Sequence, residues 1–253
     1  MNKAALITGA TGGIGKEFVR QLFDKDIDVI IATGRNEDRL NELQSEYGSR
    51  LIAIKADLAS YEGLTAVKQA IEGMNLRYLV NNAGTAYMGR FDEMTEEQIA
   101  GITDINCRAC AVLTHMCLPY MSEGAAIINV SSASSFQPNP YLAMYSASKV
   151  FLKNFSRALN VELKDRKITS IAVCPGWVDT EMLNHESNGQ KIRFPGMVTP
   201  EKVVTKALKD AGRHKDISVS SGYNAYLRLY SKYMPTAIVM KQWVKGIRKY
   251  VRT

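Results

Sequence analysis

Histidine and cysteine are scarce in this chain of 253 residues, which has three of one and four of the other. His115, His185 and His214 fall at no ligand spacing, so a metal is not expected. The amino terminus turns glycine-rich at Gly9, before a signal-peptide core could form, so an intracellular, cytoplasmic protein with reduced thiols is expected. Cys107 and Cys110 have a C-x-x-C spacing. They lie in an apolar, helix-patterned stretch (Ile99, Ile102, Ala109, Val112, Leu113, Met116), and no second C-x-x-C completes a zinc site. They read as helix-face residues. No run of 18 apolar residues occurs, so no membrane-spanning helix is expected. Acid is short in one region only. From Lys202 onward there are 12 Lys/Arg and 2 Asp/Glu, a charge of +10, while the first 201 residues carry −3. That imbalance suggests an anionic neighbour for the tail. Without helix-turn-helix, zinc or aromatic-basic signatures, nucleic acid is not the expected partner.

What remains is an ordinary globular composition, with 46% hydrophobic and 23% charged residues. It argues against a disordered chain, a collagen and a coiled coil. The length suits one large domain or two small ones. Strand-like and helix-like patterns alternate. Strands are expected at Ala4–Thr8, Asp28–Thr33, Leu51–Lys55, Tyr78–Asn81, Ala125–Val130, Ile168–Cys174 and Ile217–Ser220. Helices are expected at Ile14–Phe23, from Asn36 as a cap, at Leu64–Ile71, from about Glu96 to Met121, at Met144–Lys164 and at Pro200–Ala211. Such alternation implies an α/β fold, with βαβ units and a doubly wound parallel sheet covered on both faces. The expectation is one domain over residues 1–222, with a C-terminal extension over 223–253.

The first strand runs into Thr8-Gly9-Ala10-Thr11-Gly12-Gly13-Ile14-Gly15, and a helix opens at its end. Glycines permit a tight turn and close approach to a pyrophosphate, and a helix N-terminus offers free N–H groups and a positive dipole end. Glycine clusters also make ordinary turns; the strand-to-helix context is what favours a nucleotide. The spacing is ambiguous: Gly9, Gly13 and Gly15 give G-x3-G-x-G, whereas Gly9, Gly12 and Gly15 give G-x2-G-x2-G. At the end of the second strand, Gly34-Arg35 stands where an NAD-binding Rossmann fold carries an acid for the ribose hydroxyls. Arg35 offers a guanidinium fork suited to the 2′-phosphate of NADP(H), with Arg39 one turn further on to assist; the plainer alternative is a solvated arginine.

Tyr145 and Lys149, four apart on an expected helix, share a face. A free tyrosine ionises near pH 10 and is a poor acid–base group. A cation about 4 Å away favours its anion by on the order of 4 kcal/mol at an effective dielectric near 20. Tyr-x-x-x-Lys alone is a common accident. Here Val130-Ser131-Ser132 ends the preceding strand, at the carboxyl end where open α/β sheets build their sites.

With Thr8–Gly15, Asp57-Leu58, Asn81-Asn82-Ala83-Gly84, Asn106, Ser132, Tyr145 with Lys149, and Pro175-Gly176 in this order, the chain resembles the classical short-chain dehydrogenase/reductases over nearly all of residues 3–220. The resemblance implies that Tyr145 exchanges the proton, Lys149 lowers its pKa and holds the nicotinamide ribose, and Ser132 bonds the substrate oxygen. It implies that Asn106 anchors a water leading from Lys149. Asp57 and Leu58 would flank the adenine, Asn82, Ala83 and Gly84 line the cofactor cleft, and Pro175, Gly176, Val178 and Thr180 pass the nicotinamide. It favours the G-x3-G-x-G reading over an epimerase-type turn. The ending beyond Gly222 is closer to the hydroxysteroid dehydrogenase and long-chain ketoacyl reductase branch. The expected activity interconverts a carbonyl and an alcohol with NADP(H). The family also implies a homodimer or higher oligomer built on the two long helices.

The segment Thr180–Pro200 falls where the family places a substrate lid. Met182, Leu183, Ile192, Phe194 and Met197, with Tyr87, Phe136, Tyr141 and Trp177, suggest a small apolar carbonyl or alcohol substrate, although any one of them could be ordinary packing. In the tail, Met240, Trp243, Val244, Ile247, Tyr250 and Val251 form a helical stripe, with Lys241, Lys245, Arg248, Lys249 and Arg252 largely off it. The first expectation is that this stripe packs on its own domain or a dimer mate; the second is weak contact with a membrane surface.

Overall fold

The computed structural model describes residues 1–247 apart from 182, 184, 185, 188, 189, 192 and 193. Strands β1 (Lys3–Thr8), β2 (Val29–Gly34), β3 (Leu51–Lys55), β4 (Asn75–Asn81), β5 (Met121–Val130) and β6 (Thr169–Val173) alternate with helices α1 (Gly13–Phe23), α2 (Glu37–Tyr47), α3 (Tyr61–Ile71), α4 (Glu96–Thr103), α5 (Cys110–Cys117) and α6 (Ala143–Glu162). A two-residue hairpin, β7 (Glu186–Ser187) and β8 (Gln190–Lys191), precedes α7 (Pro200–Ala211) and the short strand β9 (Ile217–Ser218). Two further helices, α8 (Gly222–Tyr233) and α9 (Thr236–Ile247), form the extension.

Seven strands make one parallel sheet in the order β3-β2-β1-β4-β5-β6-β9. Period-two alternation sends neighbouring residues to opposite faces. Ala5, Ile7, Ile30 and Ala32 join the α1 and α7 side, with Phe18, Val19, Leu22, Val203 and Val204. Ala4, Leu6 and Ile31 join the α3, α5 and α6 side, with Leu64, Val67, Leu113 and Leu159. Each fully buried aliphatic side chain contributes roughly 1.5–3 kcal/mol. Because both faces are covered, these strands read as continuous apolar runs. The strand order reverses between β1 and β4, which opens a crevice at their carboxyl ends.

The helix caps follow the sequence. Asn36, Ser60, Thr95, Thr199 and Ser221 each accept an N–H of the first turn of α2, α3, α4, α7 and α8. The Glu96–Met121 helix requires correction. It is α-helical to Thr103, π-helical over Asp104–Ala109, α-helical again to Cys117, and then tightens into a 3₁₀ turn over Leu118–Tyr120. Pro119 cannot donate to a continuing helix, and Met121 already pairs with Leu76 as the first residue of β5. The tail stripe is met in part. Ile247 is buried, Met240 and Val244 are half-buried and Trp243 packs inward, whereas Tyr250 and Val251 lie outside the described residues.

Candidate active site

The glycine turn is dictated by backbone. Gly9 (φ +62°) and Gly13 (φ +47°) occupy the left-handed region, which favours glycine. A Cβ on Gly15 would lie 2.0 Å from the carbonyl oxygen of Gly9, an impossible contact, and one on Gly13 would lie 2.8 Å from Thr180 Cγ2. A Cβ on Gly12 would meet nothing nearer than Arg39 Nη1 at 3.9 Å. The glycines required by geometry are therefore Gly9, Gly13 and Gly15, which settles the spacing as G-x3-G-x-G.

The turn is tied to the end of β4. The Thr8 hydroxyl donates to Val80 O (3.2 Å) and accepts the N–H groups of Asn82 and Ala83, each at 3.0 Å. Asn82 Nδ2 donates to the carbonyls of Thr8 and Gly9 at 3.0 Å. The Asn82 side chain thus holds the two loops together. Ile14 packs against the core behind the turn.

Helix α1, unlike the capped helices above, has no side-chain cap, and its first turn carries no acid. Its leading N–H groups and dipole are left for an anion, which is the donor set a dinucleotide pyrophosphate needs. Gly34 ends β2 beside Thr11, where a Cβ would come 2.9 Å from Thr11 Cγ2. Arg35 follows it, exposed and without an ion pair among the described residues. Arg39 is also exposed and pairs with Glu181 Oε2 at 2.8 Å, a bridge across the mouth of the crevice that the sequence did not signal. The residues present fit a nicotinamide dinucleotide.

Asp57 turns its carboxylate to the Ala59 N–H at 3.0 Å. The side chains of Leu58 and Val178 are buried, so contact from either with a nucleotide would run through the backbone.

At the end of β5 the catalytic candidates converge. Lys149 is buried; its Nζ donates to Val130 O at 2.9 Å and lies 5.5 Å from the Tyr145 ring centroid. Ser131 Oγ donates to Lys149 O at 2.7 Å, fastening α6 to the strand. Ser132, also buried, caps a 3₁₀ turn by accepting the Ser134 N–H at 3.1 Å. Asn106 is fully buried in the π segment. Its Oδ1 accepts the Thr85 N–H, and its Nδ2 donates to Thr85 O and Ser148 Oγ, all at 2.9 Å. A Cβ on Gly84 would come 3.2 Å from Asn106 Oδ1 and 3.4 Å from Lys149 Nζ, so Gly84 lies between them. One turn past Lys149, Lys153 Nζ donates to Ser135 O at 2.5 Å, and burial pulls its pKa below the ordinary lysine value.

The substrate side is aromatic. Pro175 O accepts the Ala133 N–H at 2.6 Å, and a Cβ on Gly176 would strike the Asn224 carboxamide at 2.4 Å. Trp177 packs on Phe194 (centroids 4.8 Å) and stacks on Trp243 (6.4 Å), whose Nε1 donates to Pro140 O at 2.9 Å. Sequence reading placed Trp243 in the tail stripe but not beside the cleft. Tyr141, at φ +66°, accepts the Gly89 N–H at 2.9 Å, joining the loop that holds Tyr87 to the entry of α6. Phe136 packs instead under Lys153. Met182 and Ile192 lie outside the described residues. The cysteines have settled as helix-face thiols. Burial raises Cys107, and raises Cys110 to about 12.

A doubly wound sheet with this turn at its switch point and a Ser-Tyr-Lys group at the end of β5 defines a nucleotide-dependent oxidoreductase. Residues 3–191 match the family model described as short chain dehydrogenase, and the chain belongs to that family, whose members bind nicotinamide cofactors. It is 31% identical over 254 residues to very-long-chain 3-oxoacyl-CoA reductase of Anas platyrhynchos, covering 95% of this chain and 78% of that protein. It is 33% identical over 253 residues to the protein named inactive hydroxysteroid dehydrogenase-like protein 1 of Homo sapiens, covering 96% and 74%. Among solved structures, blue fluorescent protein from a metagenomic library in complex with NADPH matches with a TM-score of 0.79 at 29% identity, over 88% of this chain and 98% of that one.

Proposed function

We propose that this protein is an NADP(H)-dependent oxidoreductase that interconverts a carbonyl and a secondary alcohol on an apolar substrate. The observation that carries the reading is the buried Lys149 ammonium beside Gly84, bonded to Val130 O two residues before Ser132 and 5.5 Å from the Tyr145 ring. The nicotinamide, when bound, supplies the hydride in reduction and accepts it in oxidation. Tyr145 gives its phenolic proton to the carbonyl oxygen in reduction and takes it back in oxidation. The Ser132 hydroxyl donates to the same oxygen. The Lys149 ammonium, held by Val130, stabilises the negative charge left on Tyr145 and bonds the cofactor ribose. Asn106 is a positioning residue that fixes Thr85 and Ser148.

The α1 N-terminus takes the pyrophosphate, with Gly9, Thr11, Gly12, Gly13 and Gly15 beneath it. Arg35 and Arg39 take the 2′-phosphate, Asp57 and the Leu58 backbone flank the adenine, and the Pro175–Thr180 stretch passes the nicotinamide. The aromatic wall of Trp177, Phe194 and Trp243 favours a steroid or acyl chain over a sugar, and the reductase named above supports the acyl class.

Tyr145→Phe tests the assignment. It should keep NADPH affinity within about twofold and lose at least about 10³-fold in turnover; a variant that keeps a tenth of wild-type turnover overturns it. The substrate class is read from NADPH consumption against acyl, steroid, aldehyde and sugar carbonyls. A second reading, a nucleotide-binding regulator on the same fold, is favoured by the human relative named inactive. Tight NADPH binding with no turnover across that panel would establish it.

For assembly, we propose a homodimer through the outer faces of α5 and α6. Phe151 and Val161 of α6 are exposed there, and Phe151 stacks on Phe155 at 5.9 Å. Light scattering at micromolar concentration should give twice 28.1 kDa; a monomer refutes it.

A further inference from the structure

The exposed apolar side chains are densest along α8 and the turn that follows it. Of the fourteen exposed large hydrophobic side chains among the described residues, six fall between Tyr223 and Ile238: Tyr223, Tyr226, Leu229, Tyr233, Met234 and Ile238. Tyr226, Leu229 and Tyr233 are 58%, 57% and 73% exposed. The spacing of three and four residues from Tyr223 to Tyr233 lays one stripe along α8. Only Asn224 of α8 is buried. Tyr223 packs on Gly196, where a Cβ would come 2.6 Å from its Cδ1. Tyr226, Leu229 and Tyr233 stay more than half exposed among the described residues, whereas α9 packs inward through Trp243.

Charge identifies the occupant. No Asp or Glu occurs after Asp216, while Arg228, Lys232, Lys241, Lys245, Arg248, Lys249 and Arg252 supply seven cations. Lys232 Nζ lies 5.2 Å over the Tyr233 ring, which puts one cation on the stripe itself. A second copy docked through this face in a two-fold contact would set an acid-free basic segment against itself, with no carboxylate to pair. An anionic lipid surface meets both requirements. It neutralises the cations, and its headgroup layer accepts tyrosine rings with their hydroxyls toward water. Three exposed tyrosines, Tyr223, Tyr226 and Tyr233, stand on α8, and such rings suit the headgroup level better than the hydrocarbon core. No described helix is long and apolar enough to cross a membrane, so contact through this face is lateral.

We propose that the outward face of α8, with the adjoining Met234 and Ile238, is a docking surface for anionic phospholipid, and that the protein rests on such a surface reversibly. This relocates the lipid contact from the Met240–Val251 stripe, whose described residues pack inward at Trp243 and Ile247. The inner side of the same helix pair abuts Gly176 and Trp177, so docking would bring the aromatic wall of the cleft near the lipid.

The test is sedimentation of the full-length protein with vesicles of phosphatidylcholine alone or with phosphatidylserine added. Binding should require phosphatidylserine and weaken steeply as salt is raised. Tyr226→Ser/Leu229→Ser/Tyr233→Ser changes exposed residues only and should keep its unfolding midpoint while losing at least tenfold in vesicle affinity. Lys232→Glu/Lys241→Glu should lose about fivefold or more per cation removed. Full-length protein left in the supernatant with anionic vesicles at low salt overturns the proposal. So does a triple variant that binds as wild type, or equal binding to phosphatidylcholine alone. Light scattering in which the triple variant alone breaks a wild-type oligomer overturns it in favour of a second copy.

Discussion

At the carboxyl ends of β1 and β4, the crevice is shaped by main chain against main chain. The Gly9 carbonyl stands where a side chain on Gly15 would go, and Asn82 clamps both loops through their carbonyls. At the other end of the crevice the wall is made by side chains: the Asn224 carboxamide over the Gly176 backbone, and Trp243 on Trp177, which packs in turn on Phe194. A main-chain wall admits one residue at each position, whereas a side-chain wall can be rebuilt from different residues of similar bulk. The first suits a cofactor shared by many reactions, and the second a substrate that changes from one relative to another.

The same added methyl group tests this difference. Gly15→Ala should cost more than about 3 kcal/mol in chemical denaturation or prevent folding, because the Gly9 carbonyl cannot move aside. Gly12→Ala, with open space and extended backbone (φ −152°), should stay within about 0.5 kcal/mol. If the two cost the same, the main-chain argument fails. On the cofactor rim, Arg35→Ser should weaken NADPH by about ten- to a hundredfold and leave NADH unchanged, as titration of the bound-cofactor fluorescence would show. Equal loss for both cofactors would remove Arg35 from the 2′-phosphate. At the substrate end, Gly176→Ala should cost only about 1–2 kcal/mol, since a carboxamide can rotate away. Trp243→Phe keeps a ring and loses the bond to Pro140, about 1 kcal/mol. It should raise KM for the carbonyl more than Kd for NADPH. The smallest effect concerns the bridge between the two ends. Glu181→Gln frees Arg39 and should tighten NADPH by no more than about fivefold, because the pair is solvent-exposed.

The same distinction governs what the sequence made legible. Strand Leu51–Lys55, helix Pro200–Ala211 and the Asn36 cap follow from local pattern and are found with those bounds. The glycine turn was readable because its geometry is local, although Gly12 became dispensable only once Cβ positions were known. Trp243 beside Trp177 joins residues far apart in the chain, which no periodicity encodes. The stripe on α8 was missed for a related reason: amphipathic spacing marks an apolar side without saying what lies against it. The Asn106 stretch was read as ordinary helix because its apolar spacing hides the change of hydrogen-bond step.

That change of step acts as a phase adjustment. Each residue of an α-helix advances about 100° around the axis, so a wider turn lets the chain after Ala109 face a different bearing from the chain before Asp104. Asn106 can then point to Thr85 and Ser148 while Leu113 and Cys117 still face the core. The segment works like a keyway between two coaxial shafts, and its tooth count matters more than its composition. Removing a single residue from 104–109 would restore a regular helix and put the cleft and the core out of register with one another, with every side chain but one still present.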